Sequence, residues 1–134
     1  EFGATTGRRR RCGWLDAVML KNAVRLNSLT GIAITKLDVL DELEEICICT
    51  GYEYKGEVLK DFPASIEILT ELKPVYETMP GWMQDTSGVR SYNELPEKTK
   101  NYLNRIEEIT EVKNKIISVG PARDATIIKD NLFH

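Results

Sequence analysis

Two glycines, two threonine hydroxyls and four guanidinium groups follow one another in Gly3-Ala4-Thr5-Thr6-Gly7-Arg8-Arg9-Arg10-Arg11, closed by Cys12-Gly13-Trp14. Such a stretch suits anions. Glycine lets the main chain approach a ligand and turn N–H groups toward it. Arginine offers a planar fork of donors that matches a carboxylate or phosphate bidentately and stays charged at any working pH. Four consecutive arginines are also compatible with a solvated charge run, a nuclear-localisation patch or a nucleic-acid footprint. The flanks argue against these: Gly-Ala-Thr-Thr-Gly precedes the run and an apolar segment follows it, so the run reads as a throat between a loop and a helix.

A second candidate is Thr35-Lys36-Leu37-Asp38, which ends the short apolar run Gly31-Ile32-Ala33-Ile34-Thr35. That run reads as a buried strand, and the carboxyl end of such a strand is the usual ligand position in an open α/β sheet. An aspartate there can accept two hydrogen bonds from adjacent donors, which the ring N–H and exocyclic amine of guanine supply and adenine does not. A lysine two residues earlier can lay its aliphatic stem across a base. The tetrapeptide resembles the guanine-specificity motif of GTP-binding proteins, although x-Lys-x-Asp after an apolar run is common. A third segment, Ser118-Val119-Gly120-Pro121, reads on its own as a strand-end turn.

Taken together, GATTGRRRRCGWLD, Thr35-Lys36-Leu37-Asp38, Glu77-Thr78-Met79-Pro80-Gly81-Trp82 and Ser118-Val119-Gly120-Pro121 resemble the adenylosuccinate synthetase family over almost the whole chain and in the family's order. The resemblance implies an α/β fold, a mixed and mostly parallel sheet with flanking helices, residues 1–134 being the C-terminal part of a larger P-loop-like GTP-dependent ligase. It implies GTP-dependent ligation of IMP and L-aspartate to adenylosuccinate in purine biosynthesis, with Mg2+, in a homodimer. Residues 3–11 would form the aspartate/IMP loop: Ala4, Thr5, Thr6, Gly7, Arg8, Arg9 and Arg10. Of these Arg8 would reach the IMP ribose, Arg10 an aspartate carboxylate and the transferred phosphate of GTP, and Arg9, like Arg11, would be a rim charge. Lys36, Leu37 and Asp38 would hold guanine, completed by Ser118, Val119 and Gly120 through N–H groups and a hydroxyl. The family's catalytic aspartate and histidine, its phosphate loop and its magnesium ligands would belong to a preceding part. No Gly-x-x-x-x-Gly-Lys-Ser/Thr phosphate loop is present, so the expectation is no catalytic residue, no metal ligand and no turnover in this chain alone.

Composition bounds the alternatives. The 134 residues, 42% apolar and 29% charged, suffice for one domain burying about two-thirds of its unfolded surface. A net charge of −3 despite the arginines weakens a general nucleic-acid-binding role through Arg8–Arg11. A regulatory GTP-binding module would need the phosphate loop. No apolar run approaches a membrane span, and Asp16 and Lys21 interrupt the apolar stretch after the arginines, so neither a signal peptide nor membrane contact is expected. Cys12, Cys47 and Cys49 are an odd number without histidine partners at metal spacing; Cys47 and Cys49, alternating in an apolar strand, read as core thiols, and reduced cysteines fit a cytoplasmic protein.

The positioning elements follow from periodicity. Trp14 to about Asn27 has the apolar spacing of a helix, and Ile46–Tyr54 is a strand turning at Lys55-Gly56 into a return near Val58–Lys60. Pro63 opens a brief helix through Leu72, capped by Ser65; Lys73–Thr78 is a strand stopped by Pro80-Gly81. Residues 82–91 form a loop with local side-chain turns. Glu97–Thr110 is a helix with Tyr102, Leu103, Ile106 and Ile109 as its apolar stripe, Tyr102 being core. Lys115–Val119 and Ala125–Ile128 are the last strands.

Overall fold

The structure, a computed structural model, describes Gly3 and residues 5–129; Ala4 of the predicted loop and His134 lie outside the described residues. In chain order the elements are β1 (Leu15–Asp16), α1 (Ala17–Asn27), β2 (Gly31–Ile34), β3 (Glu45–Tyr54), β4 (Glu57–Leu59), β5 (Lys73–Pro80), α2 (Glu97–Thr110), β6 (Lys113–Ser118) and β7 (Thr126–Ile128). Single 3-10 turns stand at Leu37–Leu40, Ile66–Glu71 and Tyr92–Glu94.

The predicted first helix starts three residues late because Asp16 stops it. Asp16 sits in extended backbone and its Oδ1 accepts the Met19 N–H at 3.0 Å, an N-cap that satisfies one of the helix's orphan donors. Leu15 and Asp16 instead pair in parallel with Ile48 and Cys49 of β3. The helix ends at Ser28, whose left-handed backbone (φ 50°) returns its N–H to Val24 O. The 63–72 segment is also shorter than its pattern predicts. Only Ile66–Glu71 coil, as a 3-10 turn with no buried residue and no cap bond from Ser65, so no packed face lengthens it.

The mixed α/β class stands, but the strands form two sheets, and antiparallel pairing is in the majority where a mostly parallel sheet was expected. In one sheet β1 runs parallel to β3, while β4 and β5 are antiparallel to β3; in the other β2 runs parallel to β6, and β7 is antiparallel to it. The tight turn at Lys55-Gly56, with φ of 48° and 82°, dictates an antiparallel partner for β3. β2 is only half-buried, with Ala33 exposed, since it lies at the edge of its sheet among the described residues.

One core joins the two sheets. The α2 stripe Tyr102, Leu103 and Ile106 packs with Ile46 and Ile48 from one sheet and Ile117 and Ile127 from the other, together with Trp82 and Leu37. Trp82 and Tyr102 stand tilted at 5.9 Å between ring centroids. Burial alone pushes the Tyr102 hydroxyl up to about 12. A smaller cluster holds Val18, Cys49 and Tyr52. Cys49 and Tyr52 are an odd number of residues apart, and a register shift between Cys49 and Gly51 lets them share a face. Tyr52 donates its hydroxyl to Asp16 Oδ2, tying the start of α1 to β3; burial, and then this bond, push the phenol well up.

Two further contacts fix α2. Arg105 Nε reaches Glu77 Oε2 of β5 at 2.7 Å. Glu107, nearly buried, accepts Lys129 Nζ at 2.9 Å and the Asn114 N–H at 2.8 Å, with Lys113 Nζ at 3.7 Å. Burial by itself raises the Glu107 carboxyl, but the Lys129 and Asn114 bonds and the neighbouring ammonium charges outweigh it and hold it below the ordinary 4.5. A carboxylate lowered in the folded state adds stability that is present above its unfolded value and lost as pH falls through its folded one. Glu107→Gln is therefore expected to lose about 1–2 kcal/mol at neutral pH and to show a flatter decline than the parent on acidification below 4.5. Urea midpoints across that range check this; parallel pH curves for the two proteins would contradict it.

Candidate functional site

The arginine loop closes on itself. Gly3 N–H donates to Arg8 O at 2.8 Å, Gly7 N–H to Gly3 O at 2.9 Å, and Arg8 N–H to Thr6 Oγ1 at 3.4 Å. Gly7 holds φ 65°, a conformation that glycine adopts without strain. The two glycine N–H groups that sequence alone offers to a ligand are thus spent inside the loop. Thr5, Thr6, Gly7, Arg8, Arg9, Arg10 and Arg11 are all exposed. Downstream, Cys12-Gly13-Trp14 leads into β1, so the loop is anchored to the first sheet through the Leu15–Ile48 pair.

The second candidate segment turns sharply at the end of β2. Lys36 is left-handed (φ 59°, ψ 36°), an uncommon conformation for a side-chain-bearing residue, and the 3-10 turn Leu37–Leu40 follows. The bend sends Leu37 into the core, 1% exposed, while Lys36 and Asp38 stay at the surface. Val119 is likewise fully buried, and its N–H donates to Ala125 O at 2.9 Å. Ser118 Oγ donates to Gly120 O at 3.0 Å, so its hydroxyl hydrogen is used within the turn and its lone pairs remain to accept.

Parallel pairing brings these two segments together. Ile34 of β2 is in register with Ile117 of β6, so the Lys36–Asp38 turn and the Ser118–Gly120 turn leave the carboxyl ends of adjacent strands. A cleft of about 460 Å³ runs from Cys12, Gly13 and Trp14 across Ile34 to Lys36 and Leu37. It begins on the loop side at Cys12, just after the arginine run. Asp38 opens instead onto an adjoining depression of about 620 Å³ with Asp41, Met83, Asp85 and Ser87, and Val39 borders both. Lys36 and Leu37 thus border the first hollow and Asp38 the second, and none of the described residues of the predicted loop 3–11 lines either.

The electrostatics of the Asp38 hollow are acidic. Burial raises the Asp38 carboxyl above its ordinary value of 3.8, and the charges of Asp41 and Asp85 add to this, while a backbone hydrogen bond and Lys36 oppose it. A carboxylate so placed gains from a ligand that brings two N–H donors. Asp85, in contrast, is held below the ordinary value by the hydroxyl and N–H of Ser87. Among the described residues no group of three or more His, Cys, Asp or Glu side chains is arranged to hold a metal ion, and no helix is long and apolar enough to cross a membrane.

One feature of the site has no signal in residue spacing. Asp41, in the segment read from sequence as an acidic connector, is 8% exposed. It accepts Trp82 Nε1–H at 2.7 Å, Thr86 N–H at 2.7 Å and the Thr86 hydroxyl at 2.8 Å. The 82–91 loop is therefore bolted across the base of the Asp38 turn rather than held only by its own local bonds. Gly81 shares in this approach: its N–H meets Glu44 O at 2.8 Å, and a Cβ there would stand 1.7 Å from Leu43 O. No side chain fits at that position.

A family model described as Adenylosuccinate synthetase matches residues 1–127. The chain is 65% identical over 133 residues to the adenylosuccinate synthetase of Desulforapulum autotrophicum and 53% identical over the same length to that of Geobacter sulfurreducens; in each case the match takes in 99% of this chain and 31% of the relative. Among solved structures, the fully ligated adenylosuccinate synthetase from Plasmodium falciparum superposes with a TM-score of 0.87 at 43% identity, over 97% of this chain and 32% of that one. The chain thus spans about a third of the length of the curated relatives it matches. It belongs to the adenylosuccinate synthetase family.

Proposed function

We propose that this chain is the C-terminal part of a ligase that joins IMP and L-aspartate at the expense of GTP, and that it contributes the guanine subsite and the aspartate loop. The observation that carries the reading is the parallel register of β2 and β6, with Ile34 opposite Ile117, which sets the Lys36–Asp38 and Ser118–Gly120 turns side by side. In the proposed subsite the Asp38 carboxylate accepts the ring N–H and the exocyclic amine of guanine, and the Lys36 stem lies along the base. Leu37 and Val119 act as buried anchors beneath. Ser118 and Gly120 line the opposite side of the base.

The proposed chemistry has two steps. The IMP 6-oxygen takes the γ-phosphoryl group of GTP, giving GDP and a phosphorylated 6-oxygen. The aspartate amine then bonds to C6, and phosphate leaves with that oxygen. Arg10 is assigned to an aspartate carboxylate and to the phosphoryl group, where a fixed guanidinium stabilises developing charge. Arg8 is assigned to the ribose of IMP and to fixing the aspartate, with Thr5, Thr6 and Gly7, and Ala4 before them, shaping the loop; Arg9 flanks it. The intact enzyme is proposed to act as a cytoplasmic homodimer with Mg2+ on the GTP phosphates. Among the described residues no cluster of side chains fits that ion.

Because a phosphate loop is absent from the sequence, the 134-residue chain alone is expected to release no GDP from IMP, aspartate, GTP and magnesium above a heat-killed control; sustained release would refute the division of labour. In the intact synthetase, Asp38→Asn replaces an acceptor pair by an acceptor and a donor, and is expected to lower kcat/KM for GTP by roughly 100-fold. The raised Asp38 carboxyl sets the sign of the pH effect: it protonates above its ordinary 3.8, so KM for GTP should climb on the acid side in the parent and lose that climb in Asp38→Asn. Unchanged nucleotide preference in the variant would remove Asp38 from the subsite.

A further inference from the structure

We propose that Asp41 is a positioning residue for base recognition, and that the loop it clamps, residues 82–86, holds the Asp38 turn in place. This rests on reading Asp38 as the acceptor for the guanine base. Asp41 has two separate links to the site. Its backbone N–H donates to Asp38 O at 3.1 Å, closing the 3-10 turn that carries the Asp38 carboxylate. Its own carboxylate collects the Trp82 indole N–H and both donors of Thr86. Those three bonds originate in one loop, and the loop's next residues, Met83 and Asp85, face Asp38 across the depression of about 620 Å³.

A buried carboxylate with this many donors acts as a rigid strut. Thr86 is fully buried and Trp82 is 3% exposed, so neither end of the strut can shift without opening the core. The loop also carries a conformational constraint at its rim: Met83 holds φ 47° and yet leaves its side chain 56% exposed. A left-handed methionine persists only where its surroundings over-determine the backbone, and the Asp41 bonds on Trp82 and Thr86 bracket it on both sides. Met83 and Val39, the latter 46% exposed, are the apolar residues that line this hollow.

The test compares variants of the intact synthetase. Thr86→Val removes the hydroxyl donor with little change of volume, Trp82→Phe removes the indole N–H while keeping a ring on Tyr102, and Thr86→Ser keeps both donors. Thr86→Val and Trp82→Phe are each expected to raise KM for GTP about tenfold and to narrow the preference for GTP over ITP, which lacks the exocyclic amine. KM for IMP and for aspartate should stay within twofold, and Thr86→Ser should restore the parent KM for GTP. A loss of melting temperature with KM for GTP and the GTP-over-ITP ratio at parent values would overturn the proposal, since a strut serving stability alone gives that pattern. If those two variants behave as the parent while Asp38→Asn loses GTP preference, the positioning role falls and the guanine subsite stands. Should Asp38→Asn itself leave GTP preference intact, both fall together.

Discussion

The parallel pairing of β2 with β6 is the constraint on which the rest of the molecule depends. A parallel pair needs a long crossover, and here nearly everything from residue 35 to residue 112 serves as one. Within that crossover lie the first sheet's β3, β4 and β5, the clamped loop and α2. Their task is to return the chain to the right end of β2 with Ile117 opposite Ile34. A slip of one residue would turn Ile117 out of the core and Ser118 into it. The fully buried Ile117 and Val119 and the nearly buried Leu37 penalise that slip, at roughly 1.5–3 kcal/mol for each large apolar side chain exposed. Apolar burial beneath the two turns thus sets the polar geometry above them.

Polar contacts then decide which way the site faces. Asp41 joins the loop after β5 to the turn after β2, while Glu107 joins α2 to the end of β6 and to Lys129. Both are carboxylates taken from water and compensated by several donors, the arrangement in which a buried charge is tolerable. They differ in consequence. Glu107 ties α2 to Asn114 and Lys129, whereas Asp41 lies one turn from Asp38 and adds its negative charge to the hollow. The hollow therefore holds the Asp38 carboxylate in a state that nearby donors would relieve.

The sequence made the long elements legible and left their assembly hidden. The apolar stripe of α2 and the alternation of β3 are local patterns, and the Lys55-Gly56 turn has its own chemistry, so each could be read in isolation. The first helix was overextended because Asp16, which caps it, also sits inside an apolar run whose period continues through it. The helix expected after Pro63 depended on an apolar face, and Ile66 instead stands 81% exposed. The antiparallel majority was not legible because pairing joins residues far apart, such as Glu45 and Pro80. The same distance hid Asp41, whose donors come from Trp82 and Thr86; nothing local distinguishes it from the other acids around it. Among the candidate residues, the motifs do not tell which side chains leave their turns: Leu37 and Val119 face inward, and the glycine N–H groups of the arginine loop are already bonded.

The central claim is that the two strand-end turns form a single subsite for one purine base. Hydrogen–deuterium exchange on the intact synthetase, with and without a guanine nucleotide, reads this directly at the backbone. The account predicts that the nucleotide slows exchange in residues 35–41 and 118–120 together, with the β4 hairpin at 55–59 unaffected. Protection of one turn without the other, or of neither, would contradict it.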